Sequence, residues 1–325
     1  MKKDHNFLRN LVFLDYMKEN TDKDHTVSVY DIQEYLKDAG YSAERRTIYT
    51  MIEDINQRRK QIVYLPARRG YYMEHPLTPA EAYVITDALN SAPSLSPKTT
   101  AKLNDKILRE LSIHQRMSLP AGASPENKSE NEHVIEYIEI LLQAVQEGIP
   151  VEFQYYDITV TKTRKYRHNS RKYVLVPYGI TMQNGRYYCV LYDEKYRNFA
   201  AYRIDKMDHI RLTEERPELV PFDLERWLTS AFHMYKGEAE TITVRFDLSV
   251  ANQVFDQFGN DLIIHSVDSA SFTASIRTGT SVTLIAWLLQ FYRQATVLRP
   301  QSLIDAILEI ADTLKETYTK ENNHG

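Results

Sequence analysis

The stretch from Val27 to Ile55 reads VSVYDIQEYLKDAGYSAERRTIYTMIEDI, and its punctuation decides how the first part of the chain folds. Ser28 is placed to cap a helix that carries Ile32, Tyr35 and Leu36 and stops at Gly40. Ser42 is placed to cap the next helix, AERRTIYTMIEDINQRR, whose Ile48, Met51, Ile52 and Ile55 fall on one face. Upstream, Phe7, Leu8, Leu11, Val12 and Leu14 recur at helical spacing, giving a helix that ends near Asn20. Downstream, QIVYLPARRGYYM (61–73) alternates like a strand, turns between Pro66 and Gly70, and returns.

Three short helices with a tight turn between the second and third, followed by a β-hairpin, predict a winged helix-turn-helix. In such a unit the third helix offers its N-terminal residues to base edges in the major groove. Arg45, Arg46, Thr47, Tyr49 and Thr50 occupy that position, away from the apolar face. Arginine can pair bidentately with guanine, and the hydroxyls can reach bases or phosphates. Arg68 and Arg69 at the hairpin tip are expected on backbone phosphates, with Arg58, Arg59 and Lys60 as further candidates. The plainer alternative is that these are the solvated face of a small helix; the basic wing in register weighs against it.

Composition bounds the rest. With 325 residues, 43% apolar and 26% charged, the chain has room for several domains and a sizeable core. No apolar run approaches the roughly 20 residues needed to span a bilayer, and acids and Asn interrupt the N-terminal stretch, so a cytoplasmic protein is expected. The single cysteine, Cys189, excludes an internal disulfide and reads as a buried, inert thiol in mid-strand. The net charge of −4 hides segregation: seven bases against three acids between Ala43 and Gly70, and six bases with no acid from Thr161 to Lys172. Two local anionic partners fit that pattern better than uniform nucleic-acid coating.

Beyond the hairpin, Thr78-Pro79-Ala80-Glu81 opens a helix, and a further helix carries Leu103, Ile107, Leu108 and Leu111. SLPAGASPENKSENE (118–132) is a polar linker and the best domain boundary. An amphipathic helix from Val134 to Gln146 then leads into strands VEFQYYD, RKYVLVPYGITMQ, RYYCVLYD, FAAYRID and DHIRL, with Asn184-Gly185 as a type I′ hairpin signal. Five short strands after a helix suggest a small barrel. PFDLERWLTSAFHMY is a connecting helix, and the remainder reads βαββαβ with a trailing helix, a ferredoxin-like plan. The expected parts are therefore residues 1–75, 76–133, 134–215, 216–237 and 238–325, in an α+β multidomain chain.

VSVYDIQEYLKDAGYSAERRTIYTMIEDI resembles the winged helix of bacterial WYL-domain transcriptional regulators, in which a phrase close to S-x-R-T-I-Y-x-x-I-x-x-L recurs. VEFQYYD, YVLVPYGI, GRYYCVLYD and FAAYRIDKM resemble successive strands of the WYL domain, and the segment ending in VLRPQSL is similar to the C-terminal extension of these proteins. Here the naming Trp and Leu are Tyr187 and Cys189, and the second arginine of an R-x-x-R phrase is Lys206. The resemblance implies an Sm-like barrel sensing a nucleotide or single-stranded nucleic acid, a homodimer and double-stranded operator DNA as partner; a repressor is expected, although the residues do not give the sign of regulation.

The residues agree with such a site. Arg203 and Lys206 suit phosphate, Tyr155 and Tyr187 offer stacking surfaces, and Arg171 belongs to a basic loop that would attract anions, while Tyr202 reads as core. The alternatives are cross-strand pairs on a solvated face, with the barrel serving as a dimer scaffold or a second nucleic-acid contact. No phosphate loop, H-E-x-x-H motif or nucleophile elbow occurs, so neither enzymatic activity, a metal nor a cofactor is expected, and a nucleic-acid-processing enzyme is the remotest reading. TLIAWLLQFY (283–292) is a candidate dimer interface because its apolar face is wide.

Overall fold

A computed structural model describes residues 2–59, 61–120, 122, 127–232, 235–236, 239–259 and 262–321. The chain divides into two units, Met1–Glu136 and Tyr137–Gly325.

In the first unit α1 (Lys2–Asn20), α2 (Val29–Asp38) and α3 (Arg45–Arg58) precede a hairpin of β1 (Ile62–Leu65) and β2 (Gly70–Met73). Phe13, Met17, Ile32, Leu36, Ile48, Met51, Ile52, Ile62 and Met73 close one core between them. Ser28 caps α2 in a reciprocal box: its Oγ accepts from the Asp31 amide at 3.3 Å, and its own amide donates to the Asp31 carboxylate at 2.7 Å. The expected cap of α3 is corrected, because that helix begins later. Glu44, not Ser42, is its N-cap and makes no side-chain cap bond; the Gln33 amide instead holds the α2–α3 turn by donating to the Ala43 carbonyl at 2.9 Å. Gly70 is dictated by close approach, since a Cβ there would meet Thr26 Oγ1 at 2.5 Å where Tyr71 and Val27 bridge.

Next come α4 (Pro79–Ser91), with Thr78 and Glu81 as its capping box, α5 (Pro97–Leu108) and α6 (Ile113–Met117). The expected helix through Leu111 stops at Leu108, because Ser112 caps a new one. Part of the polar linker, 121 and 123–126, lies outside the described residues.

The second unit opens with α7 (Val134–Glu147), most of which belongs to it. Strands β3 (Val151–Ile158), β4 (Arg164–Tyr166), β5 (Tyr173–Gln183), β6 (Arg186–Asp193), β7 (Asn198–Arg203) and β8 (Met207–Leu212) follow. They pair in the order β4-β3-β5-β6-β7, with β8 on the other side of β3, so the sheet curls. Asn184 and Gly185 have φ of 51° and 70°, as the β5–β6 turn requires. Two elements differ from the sequence pattern. A short strand, β4, interrupts the basic loop, and β7 ends at Arg203, after which Ile204–Lys206 form a 3-10 turn.

The expected connecting helix is shorter than its sequence pattern: α8 (Leu224–Ser230) gives way to paired two-residue strands, β9 (Ala231–Phe232) and β10 (Tyr235–Lys236). Then β11 (Ala239–Asp247), α9 (Ala251–Phe258), β12 (Ile263–Val267), β13 (Ser271–Gly279), α10 (Val282–Leu289), β14 (Ala295–Arg299) and α11 (Gln301–Glu321) complete the chain. The antiparallel sheet runs β12-β13-β11-β14, and α9, α10 and α11 share its apolar core around Val244, Phe246, Phe272 and Leu288. Within TLIAWLLQFY the residues Leu284, Ile285, Leu288 and Phe291 are buried in that core, so most of its wide apolar face is covered by its own domain. Edge strand β12 is exposed along all five residues and bulged around His265, whose Nε2 lies 2.6 Å from Ser275 Oγ.

Candidate functional site

Helix α3 carries Arg45 and Arg46 in its first turn, both exposed, with Tyr49 and Thr50 exposed one turn further and Thr47 half-buried. Ile48, Met51 and Ile52 face the core, so period 3.6 gathers Arg45, Arg46, Tyr49 and Thr50 on one outer face, where Glu53 follows. The Thr50 hydroxyl donates back to the Arg46 carbonyl at 3.0 Å, leaving its lone pairs outward. Arg58 and Arg59 end the same helix, about 20 Å along its axis from Arg45. They are therefore not brought together with the first turn. Lys60 lies outside the described residues. At the hairpin tip Arg69 is exposed with φ 51°, whereas Arg68 is turned back onto the unit, donating to the Asp24 carbonyl and lying 3.4 Å from its carboxylate.

The second unit gathers its charges around two carboxylates. Asp205 is only 4% exposed, and Arg203 grips it with a two-pronged pair of 3.0 and 2.7 Å. Arg186 adds a third bond to it at 3.1 Å, and the Tyr156 hydroxyl fixes the turn by donating to the Asp205 carbonyl at 2.8 Å. Beside them Asp157 takes a bidentate pair from Arg167 at 2.7 and 2.9 Å, with Lys206 Nζ at 3.7 Å. The Arg167 guanidinium also lies 4.9 Å from the centre of the Tyr155 ring, a cation–π contact. Four cations thus share two carboxylates, and the cluster keeps a positive excess suited to phosphate.

Tyr155 joins this cluster from beneath. Its hydroxyl accepts from the Arg203 amide at 3.2 Å, and burial pushes it up to about 12, so it stays a neutral phenol. It is a floor under Arg203 and Arg167, only 6% exposed, and not the open stacking platform that the sequence suggested. Tyr202 is core, edge-on to Phe153 and Tyr155. Tyr187 is corrected by register. Arg203 pairs with Tyr188 and Tyr202 with Cys189, so Tyr188 and Arg186 share the Arg203 face while Tyr187 points to the other. Arg171 is exposed on the loop after β4, in which His168, Asn169 and Ser170 all have positive φ.

That loop is a weaker attractant than its sequence implied. Arg164 lies 3.5 Å from Asp208, Arg167 is held by Asp157, and Lys172 lies 2.9 Å from Glu152, which Arg211 also contacts at 2.6 Å. The partners come from β3 and β8, outside the Thr161–Lys172 stretch, so a charge count over that stretch alone does not reveal them. Burial opposes ionisation of Asp208, but hydrogen bonds from Tyr166 and Tyr137 outweigh it and hold the carboxyl below the usual range.

Residues 136–212, which span the curled sheet and this cluster, match the WYL domain family, and residues 238–314 match the WCX domain family. The chain thus contains a WYL domain and a WCX domain. Its WYL match takes in Arg167, Arg186, Arg203 and Lys206. No curated protein matches the chain. Among solved structures it is similar to Proteasome accessory factor B/C (PafBC) of Arthrobacter aurescens, at 16% identity and a TM-score of 0.28. That similarity covers 92% of this chain and 45% of the other, so the chain spans less than half of that protein's length. It is also similar to a CRISPR Cas-related protein, at 12% identity and a TM-score of 0.24, covering 93% of this chain and 99% of that one. Among the described residues no His, Cys, Asp and Glu cluster could hold a metal ion, and no helix of the WYL-domain protein is long and apolar enough to cross a membrane.

Proposed function

We propose that this WYL-domain protein is a ligand-responsive, DNA-binding transcriptional regulator, acting as a cytoplasmic homodimer and as a repressor, without enzymatic activity. On this reading α1–α3 and the β1–β2 hairpin are a winged helix-turn-helix that docks α3 in the major groove of operator DNA. The curled β3–β8 sheet is an Sm-like barrel that senses a nucleotide or a short single strand, and the β11–α11 region is a ferredoxin-like extension. The observation that carries the reading is the exposed first turn of α3, where Arg45, Arg46, Tyr49 and Thr50 converge beside a hairpin. The WYL match supports the sensing half.

The test is fluorescence anisotropy on duplex DNA from upstream of the gene and on scrambled duplex, across a salt series. Specific binding that falls with salt, and is lost in Arg45→Ala/Arg46→Ala, is the expected result. Equal binding to both duplexes, unchanged in that variant, would overturn it. Sensing is tested by adding nucleotides: a shift in DNA affinity that Arg203→Ala abolishes is expected. One observation favours a second reading. Because Asp205 already occupies the Arg203 and Arg186 guanidiniums, the barrel would serve as a scaffold if no nucleotide or oligonucleotide altered DNA affinity.

A further inference from the structure

The hairpin carries a feature that the arginines do not explain. Register pairs Ile62 with Met73 and Tyr64 with Tyr71, so all four side chains lie on one face of the hairpin. Ile62 and Met73 are buried against the helices, and the two tyrosines continue that face towards the tip, their ring centres 5.0 Å apart. Tyr64 is 47% exposed. Across from them stands Tyr49 of α3, 49% exposed and one turn beyond Arg45 and Arg46. Tyr49 and Tyr64 both lie close enough to Tyr71 to help raise its hydroxyl, after burial.

The hairpin is held in place against the helix. Asn56 of α3 donates to the Ile62 carbonyl at 2.6 Å and accepts from the Ile62 amide at 2.9 Å, a two-bond clamp at the root of β1. Meanwhile Arg68 at the tip is drawn away to Asp24. Tyr49 on the helix and Tyr64 and Tyr71 on the hairpin thus group three neutral phenols, with exposed Arg45 and Arg46 one turn before Tyr49 and exposed Arg69 at the hairpin tip.

We infer that Tyr49 and Tyr64 bind the sugar-phosphate backbone of duplex DNA, their hydroxyls donating to phosphate oxygens from α3 and from the hairpin that Asn56 ties to it. This rests on the DNA-binding reading above and adds a distinct mode of contact. A phenol donates a hydrogen bond but neutralises no phosphate, so it releases no counterion. It carries no base information either, because phosphates are common to every sequence.

The experiment compares full-length Tyr49→Phe, Tyr64→Phe and Arg46→Ala with the wild type on specific and scrambled duplexes across a salt series. Tyr72→Phe, on the opposite hairpin face, is the control. Each phenol variant is expected to bind both duplexes about three- to tenfold more weakly, with an unchanged slope of log affinity against log salt. Arg46→Ala is expected to flatten that slope by about one. Wild-type affinity in both phenol variants would overturn the inference and leave the DNA-binding reading intact, as would a loss confined to the specific duplex, which would make the tyrosines base readers. Failure of the wild type to bind any duplex would remove the DNA-binding reading itself.

Discussion

At the scale of single residues, Asp205 is the side chain whose replacement separates two effects. It is buried and serves two guanidiniums, so Asp205→Asn should destabilise the protein by about 2–3 kcal/mol in urea unfolding. The same change frees Arg203 and Arg186, so affinity for a nucleotide should rise even as stability falls. Unchanged stability would show that the two arginines do not depend on Asp205. This residue also marks the limit of what the sequence disclosed. Arg203 and Lys206 are legible as cations, but the acid that holds Arg203 looks like an ordinary strand residue. Sequence alone favours Tyr187 over Tyr188, because the facing of β6 depends on which residue of β7 lies opposite, and the six-residue stretch of loop and strand before Ala200 conceals that register. Cys189 is readable from its apolar neighbours: it is fully buried, and burial pushes its thiol up.

At the scale of elements, three local signals hold where that of Ser42 does not. Ser28 with Asp31, Thr78 with Glu81 and Asn184 with Gly185 each act within four residues, and each forms as its chemistry dictates. Ser28→Ala should therefore cost about 1 kcal/mol in the N-terminal unit, read from its urea transition; a change under a few tenths would mean that the core alone fixes the start of α2. Elements with no turn or capping signal of their own are harder to foresee. Strand β4 exists because Tyr156, Asp157 and Ile158 offer a free edge to Arg164–Tyr166, and nothing in a run of lysine, threonine and arginine announces that. Helix α8 likewise stops at Ser230 although its apolar spacing continues, because the chain turns there to pair β9 with β10.

At the scale of the whole molecule, both units hold carboxyls below the usual range and should lose stability in acid, and Asp22 shows how for the first. Its side chain is 3% exposed. Burial opposes its charge, but hydrogen bonds from Ser112 at 2.5 Å, from His25 and from the Asp24 amide outweigh it, holding the carboxyl below the usual range. A folded-state value below the unfolded one, about 3.9, gives stability that is present above that pH and lost as pH falls through the lower value. The stability difference between wild type and Asp22→Asn should thus be largest at neutral pH and shrink at pH below about 4. A difference that stays constant between the two would assign Asp22 a purely steric role. Through Ser112 and Asp22, and through His75, whose ring nitrogens lie 3.0 and 2.8 Å from the Glu110 and Thr21 carbonyls, the N-cap of α6 and the segment after β2 are joined to the residues that follow α1.

Strand β12 has a consequence of another kind. Ile263, Ile264 and Val267 sit on an open sheet edge with no lysine, arginine or proline among the five residues of the strand. Such an edge is the template on which chains stack into fibrils. The bulge at His265 kinks the ladder there, and a kinked edge cannot match a straight one over its whole length. The solubility of the folded protein at high concentration then depends on an irregularity one residue long.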